Sequence, residues 1–124
     1  MTAFPELDRA QYMNITTFKR DASEVRTPVW FAQDGDTLVF FSLSRAGKLK
    51  RIRNRGQVLV APCTMNGELL GSWTAGSARI LPSDESARAA ALLDRKYGLL
   101  MSLGKLYYRL SGVKMIYVEV TPGG

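Results

Sequence analysis

The chain has 124 residues, 46% of them hydrophobic and 23% charged, with 17 Lys plus Arg against 11 Asp plus Glu for a net charge of +6. This length and balance suit one domain with a real core and exclude a disordered chain. There is no histidine and one cysteine, Cys63, which excludes an internal disulfide, a cysteine-rich metal site and any Ser-His-Asp or Cys-His nucleophilic machinery.

The elements follow in chain order. Residues 5–11 predict a short helix with Pro5 at its start. Residues 12–19, β-branched and aromatic, predict a strand. A polar turn at 20–23 leads to a second strand over 24–32. Pro28 lies inside it and donates no ladder bond, so this strand is expected to be bulged or at an edge. Asp34-Gly35 marks a hairpin into a third strand at 37–43. Ser44 is the expected cap of a helix over 45–55, in which Ala46, Leu49 and Ile52 recur at spacing three. A fourth strand covers 57–63. After the Asn66-Gly67 turn a fifth runs over 72–81, where Gly76 signals a bulge or a close approach. Ser83 is the expected cap of a helix through Tyr97, with Asp84 and Glu85 at its positive end. Residues 99–110 look helical but interrupted by Gly104, and 114–121 form a final strand. Hairpin-rich β order with segregated helices predicts one domain, 1–124. Its class is mainly β (α+β), an antiparallel barrel closed or half open with flanking helices.

No stretch reaches 18 uninterrupted apolar residues, so no membrane span is expected. Met1-Thr2-Ala3-Phe4-Pro5-Glu6 has no charged start followed by an apolar block, and a cytoplasmic location is expected.

Four constellations carry possible chemistry. In Lys48-Leu49-Lys50-Arg51-Ile52-Arg53-Asn54-Arg55, five cations fall in eight residues. At 100° per residue Lys48, Arg51 and Arg55 share a face, with Leu49 and Ile52 turned to the core. Such a face suits a phosphate; a solvated helix face is the plain alternative. Arg26-Thr27-Pro28-Val29-Trp30-Phe31 joins a mid-strand proline to flat apolar surface on which a planar heterocycle would lie, or it is an interrupted core strand. Ala61-Pro62-Cys63 repeats the internal proline and suggests a shared crevice, with Cys63 read as a small buried hydrophobe. Trp73 between Gly71 and Gly76 reads as an interface anchor, a lid over a ring, or core packing. Tyr107, Tyr108 and Arg109 line a substrate mouth or simply pack.

These pieces in this order resemble a known family. Ile15-Thr16-Thr17-Phe18, Thr27-Pro28-Val29-Trp30-Phe31, Ser44 to Arg53, Val60-Ala61-Pro62-Cys63 and Trp73 to Arg79 look like the oxidoreductases that depend on the deazaflavin coenzyme F420. That family lies within the pyridoxamine-phosphate-oxidase-like, flavin-reductase split-barrel superfamily. The resemblance covers about residues 10–120. Where many relatives carry Asn-Pro after the basic helix, this chain has Asn54-Arg55-Gly56, while the cations before it are intact.

The resemblance implies a homodimeric split barrel with cofactor sites at the subunit interface. The backbone of Val29, Trp30 and Phe31 would face the ring system. Ser42, Leu43 and Ser44 would border the cofactor chain, and Lys48, Lys50 and Arg51 would hold the phosphate. Ala61, Pro62 and Cys63 would flank the ring, with Trp73 supplied by the partner subunit. Reduced deazaflavin would pass a hydride to a small electron-poor organic substrate, with the proton from solvent or from Tyr107 or Tyr108. No protein nucleophile is needed, in keeping with a histidine-free chain. The flavin FMN is the alternative cofactor, and a non-catalytic cofactor-binding protein the alternative function. Nucleic acid is not expected as a partner, because the basic helix lacks base-reading side chains. A membrane is not expected either.

Overall fold

The computed structural model describes residues 4–123. Residues 1–3, part of the opening segment read above for a leader, lie outside it. The chain forms β1 (Tyr12–Phe18), β2 (Glu24–Val29), β3 (Phe31–Asp34), β4 (Thr37–Leu43), α1 (Gly47–Asn54), β5 (Gln57–Cys63), β6 (Thr74–Ile80), α2 (Ser86–Tyr97), α3 (Leu99–Ser111) and β7 (Met115–Pro122). All strand pairs are antiparallel, in the order β2-β1-β5-β6-β7-β4-β3. The sheet is rolled so that edge strand β2 also packs on β4. This is the half-open barrel expected.

Strand alternation separates two cores. Met13, Ile15, Leu38, Phe40, Val58, Val60, Val118 and Val120 fill the barrel, and Leu49 and Ile52 of α1 close it. Val39 and Phe41 of β4, with Tyr12 and Trp30, face outward. They are covered by Ala89, Leu93, Tyr97 and Met101 of α2 and α3. The boundaries expected for β4 and β5 hold to the residue. So does the edge position of the Pro28 strand.

Several local expectations are corrected. The opening helix is a single 3₁₀ turn, Pro5–Leu7. The predicted strand 24–32 is two strands: the chain breaks at Trp30, leaves β1 and pairs with β4 instead. Ser44 does not cap α1, because the helix starts three residues later with Ala46 at the N-cap position; the Ser44 N–H donates to the Lys114 carbonyl (2.9 Å), tying the connection to β7. The helix opens at Gly47 with no side-chain cap. Arg55 falls beyond its end and leaves the predicted basic face. Ser83 starts a 3₁₀ turn and α2 begins at Ser86, whose hydroxyl donates to the Pro82 carbonyl (2.9 Å). Gly104 does not interrupt α3. One helical glycine costs about 0.5–1 kcal/mol, less than the packing of the helix returns. The helix ends instead at Gly112, whose φ of +77° gives the left-handed C-cap.

Gly76 is a close approach and not a bulge. A Cβ there would sit 2.6 Å from Val120 Cγ1 and 3.0 Å from the Thr121 carbonyl oxygen. Gly76→Ala is expected to destabilise the fold by about 1–3 kcal/mol through overpacking. Denaturant unfolding measures it, and an unchanged midpoint would show that β6 and β7 have room to part.

Candidate functional site

A cleft of about 250 Å³ opens between the barrel wall and α3. Pro28, Val29 and Trp30 supply one side, from the point where β2 leaves the sheet edge. Phe41 and Leu43 form the floor from the outward face of β4. Met101, Gly104 and Tyr108 of α3 form the opposite wall, and Lys48 enters from the first turn of α1. The lining is apolar and aromatic with one cation.

The aromatic wall is held from behind. Trp30 stacks on Tyr97 with centroids 4.6 Å apart and meets Phe41 edge-on at 6.2 Å. The Tyr97 hydroxyl accepts the Phe31 N–H (2.9 Å) and donates to the Gln11 carbonyl (2.6 Å). Burial pushes its phenol well above the ordinary tyrosine range, so it stays a neutral strut. This buried group satisfies the backbone polar atoms that the β2–β3 break would otherwise orphan, and so fixes Trp30. Sequence reasoning did not find Tyr97, whose partners lie 66 and 86 positions away.

Lys48 is half-buried, not fully exposed as a free basic face would have it. Burial, and then the neighbouring Arg51 charge, lower its ammonium below the usual lysine range. An uncompensated half-buried cation is a standing invitation to an anion. Lys50 and Arg51 line a second cleft of about 250 Å³ with Phe18, Lys19, Arg20, Gly47 and Asn54. Arg51 is also used structurally, donating from Nε to Thr17 Oγ1 (2.7 Å). The three expected phosphate cations thus front two adjoining clefts.

The remaining expected residues are placed elsewhere. Ser42 faces the barrel interior and is buried, and Ser44 is exposed beside the cleft. Ala61, Pro62 and Cys63 do not share the cleft of Pro28, because β1 runs between β2 and β5. Asn14 pairs with both Pro28 and Ala61, and Met13 with both Val29 and Pro62. Cys63 is buried and burial raises its thiol, as befits an inert side chain. Trp73 lies under the Arg26 guanidinium at 5.1 Å, away from its own chain's cleft. Of the two tyrosines offered as a mouth, Tyr108 lines the cleft and Tyr107 points to solvent. Among the described residues no group of three metal-ligating side chains occurs.

Lys96, at the back of the same wall, sits 3.5 Å over the Phe31 ring and donates to the Ala10 carbonyl (2.8 Å). Burial lowers it to about 8. Between pH 8 and the unfolded lysine range the native state holds fewer protons than the unfolded, so its contribution to stability rises with pH. The stability difference between the parent and Lys96→Met is expected to shift in favour of the parent from pH 8 to 10. Unfolding curves across that range check it, and a pH-independent difference would rule it out.

A scan against protein-family models finds no match, and neither does a search of curated proteins. Solved structures do match. HutZ, described as a haem storage protein of Vibrio cholerae, aligns over all of this chain and 92% of its own at a TM-score of 0.72 and 12% identity. An F420 reductase aligns over 98% of this chain and 93% of its own at 0.61 and 15% identity. A FAD-binding protein of Mesorhizobium loti aligns over 97% and 84% at 0.65 and 14% identity. At such identities the likeness is one of fold: the chain has the mainly β, antiparallel split-barrel architecture that these cofactor-binding proteins share.

Proposed function

We propose that this protein binds a deazaflavin, coenzyme F420, in the Trp30–Phe41–Tyr108 cleft and is an oxidoreductase acting on a small electron-poor organic substrate. The observation that carries this is the pairing of a proline-interrupted aromatic wall with the half-buried Lys48, which makes no ion pair among the described residues, at one end of the same cleft. Flat apolar walls suit a planar heterocycle, and a single buried cation suits the phosphate attached to it.

The residues present fit that group. A volume of about 250 Å³ is under the roughly 300–1,000 Å³ of sites that enclose a whole ligand. One chain would therefore enclose a ring and leave the rest of the cofactor to other surfaces. Lys50 and Arg51 in the adjoining cleft would steer the phosphate chain. A second copy would close the open side of a homodimeric site and bring its Trp73. Bound there, a reduced deazaflavin supplies the hydride. Trp30, Val29 and Phe41 would orient the ring and exclude water, and Tyr108 would stand nearest the substrate as a hydroxyl donor.

FMN would use the same wall and cation. Haem is disfavoured, since the chain has no histidine, the commonest proximal ligand. The test is a fluorescence titration with F420 and with FMN in parallel. Saturable micromolar or tighter binding of the deazaflavin, with FMN weaker, supports the proposal. Preference for FMN replaces the cofactor, and binding of neither withdraws the oxidoreductase assignment.

A further inference from the structure

Helix α3 is apolar on two opposite sides. Met101, Gly104 and Tyr108 face the protein and wall the cleft. Leu99, Leu103, Leu106 and Leu110 fall at spacings of four, three and four. At 100° per residue they form a stripe on the side away from that wall. They are 50–79% exposed, and Leu100 and Tyr107 widen the stripe at 56% and 67%. Among the described residues nothing covers them, and an apolar stripe of this size on a helix marks an interaction surface.

The charges near the stripe that make no ion pair among the described residues are cationic. Between Asp94 and Glu119 the sequence carries Arg95, Lys96, Lys105, Arg109 and Lys114 and no acidic residue. Lys105 is paired with Asp94 (2.6 Å), whereas Arg95, Arg109 and Lys114 are exposed. Among the described residues no ion pair links these three to an acid. A leucine stripe bordered by arginine and lysine, with a tyrosine at its margin, is the pattern of a helix that lies in the plane of a membrane surface. No helix of the structure is long and apolar enough to cross a bilayer, but α3, about 20 Å long at 1.5 Å per residue, needs only to lie on one. A second copy is a poorer occupant, since a two-fold contact would set the cationic border against itself.

We propose that the outer face of α3 docks this protein on an anionic lipid surface, with Leu99, Leu103, Leu106 and Leu110 entering the headgroup–acyl boundary and Arg109 and Lys114 contacting lipid phosphates and carboxylates. Docking of this kind sets the helix that walls the cleft against the bilayer. It stands independently of which cofactor the cleft holds.

The test is co-sedimentation of the full chain with phosphatidylcholine vesicles with and without phosphatidylserine, at low and high salt. The expected result is binding to the mixed vesicles that weakens at least tenfold on pure phosphatidylcholine and falls with salt. L103S/L110S, both exposed positions, is expected to lose at least tenfold while its circular dichroism and Tm stay unchanged. R109E and K114E are each expected to lose about fivefold or more. Failure to bind the mixed vesicles overturns the proposal. So does binding that the leucine substitutions leave intact, which would be charge attraction alone. A dimer that L103S/L110S converts to monomer, without vesicle binding by the parent, would assign the stripe to a second copy.

Discussion

Lys48→Ala is expected to weaken F420 binding by about 1.5–3 kcal/mol, roughly 10- to 150-fold, the range for a hydrogen bond to a charged group. Lys48 is the only cation lining the aromatic cleft among the described residues, and its ammonium is already disfavoured by burial and by Arg51. A bound phosphate relieves both penalties, whereas in the free protein Lys48 makes no ion pair among the described residues. Affinity should therefore fall while the unfolding midpoint stays within about 0.5 kcal/mol of the parent. Arg55→Ala is the matched control: Arg55 belongs to the same cationic run but lies past the end of α1, so its removal should change affinity far less. Equal losses would mean that net charge, and not the position of Lys48, drives binding.

The difference between Lys48 and Arg55 also shows where sequence pattern stops being informative. Leu49 and Ile52 were legible as the buried side of α1 because helical spacing is a local property. The strands Thr37–Leu43 and Gln57–Cys63 were legible because turn residues bracket continuous β-branched and aromatic runs. Pro28 announced an edge through chemistry that every proline carries. What could not be read locally depends on groups far away in the chain. Ser44 has the side chain of a cap, yet α1 opens only at Gly47, and the Ser44 N–H ties the connection to the distant carbonyl of Lys114. The run 24–32 has uniform strand composition, yet it breaks at Trp30 because Tyr97, on α2, binds the freed backbone. Gly104 looks like a breaker, yet α3 runs through it.

The same limit applies to the site. Val29, Trp30, Leu43 and Lys48 were singled out from the sequence and meet in one cleft. Phe41, Met101 and Gly104 join them there unannounced, since each reads as ordinary packing in its own element. Pro28 and Pro62 suggested a common crevice through their shared effect on the ladder, but composition does not reveal that β1 runs between their strands.

Trp30→Ala is expected to give the largest loss of all, about 3–5 kcal/mol of stability together with most of the cofactor affinity. Trp30 contacts Tyr97, Phe41 and Tyr12 at once, so its removal opens a cavity joining the cleft to the outer core. The ring also separates two roles that one substitution confounds. Tyr97→Phe keeps the stacked ring but leaves the Phe31 N–H and the Gln11 carbonyl without their partner, a loss of about 1–3 kcal/mol. If Tyr97 acts by positioning Trp30, Tyr97→Phe should weaken F420 binding although it lines no part of the cleft. The double variant should then lose less than the sum of the single ones, with a coupling of about 0.5–3 kcal/mol. Urea unfolding and F420 titration of the four proteins in the cycle decide it. Additive losses in both measurements would make Trp30 a peripheral packing residue and would move the ring site away from the β2–β3 break.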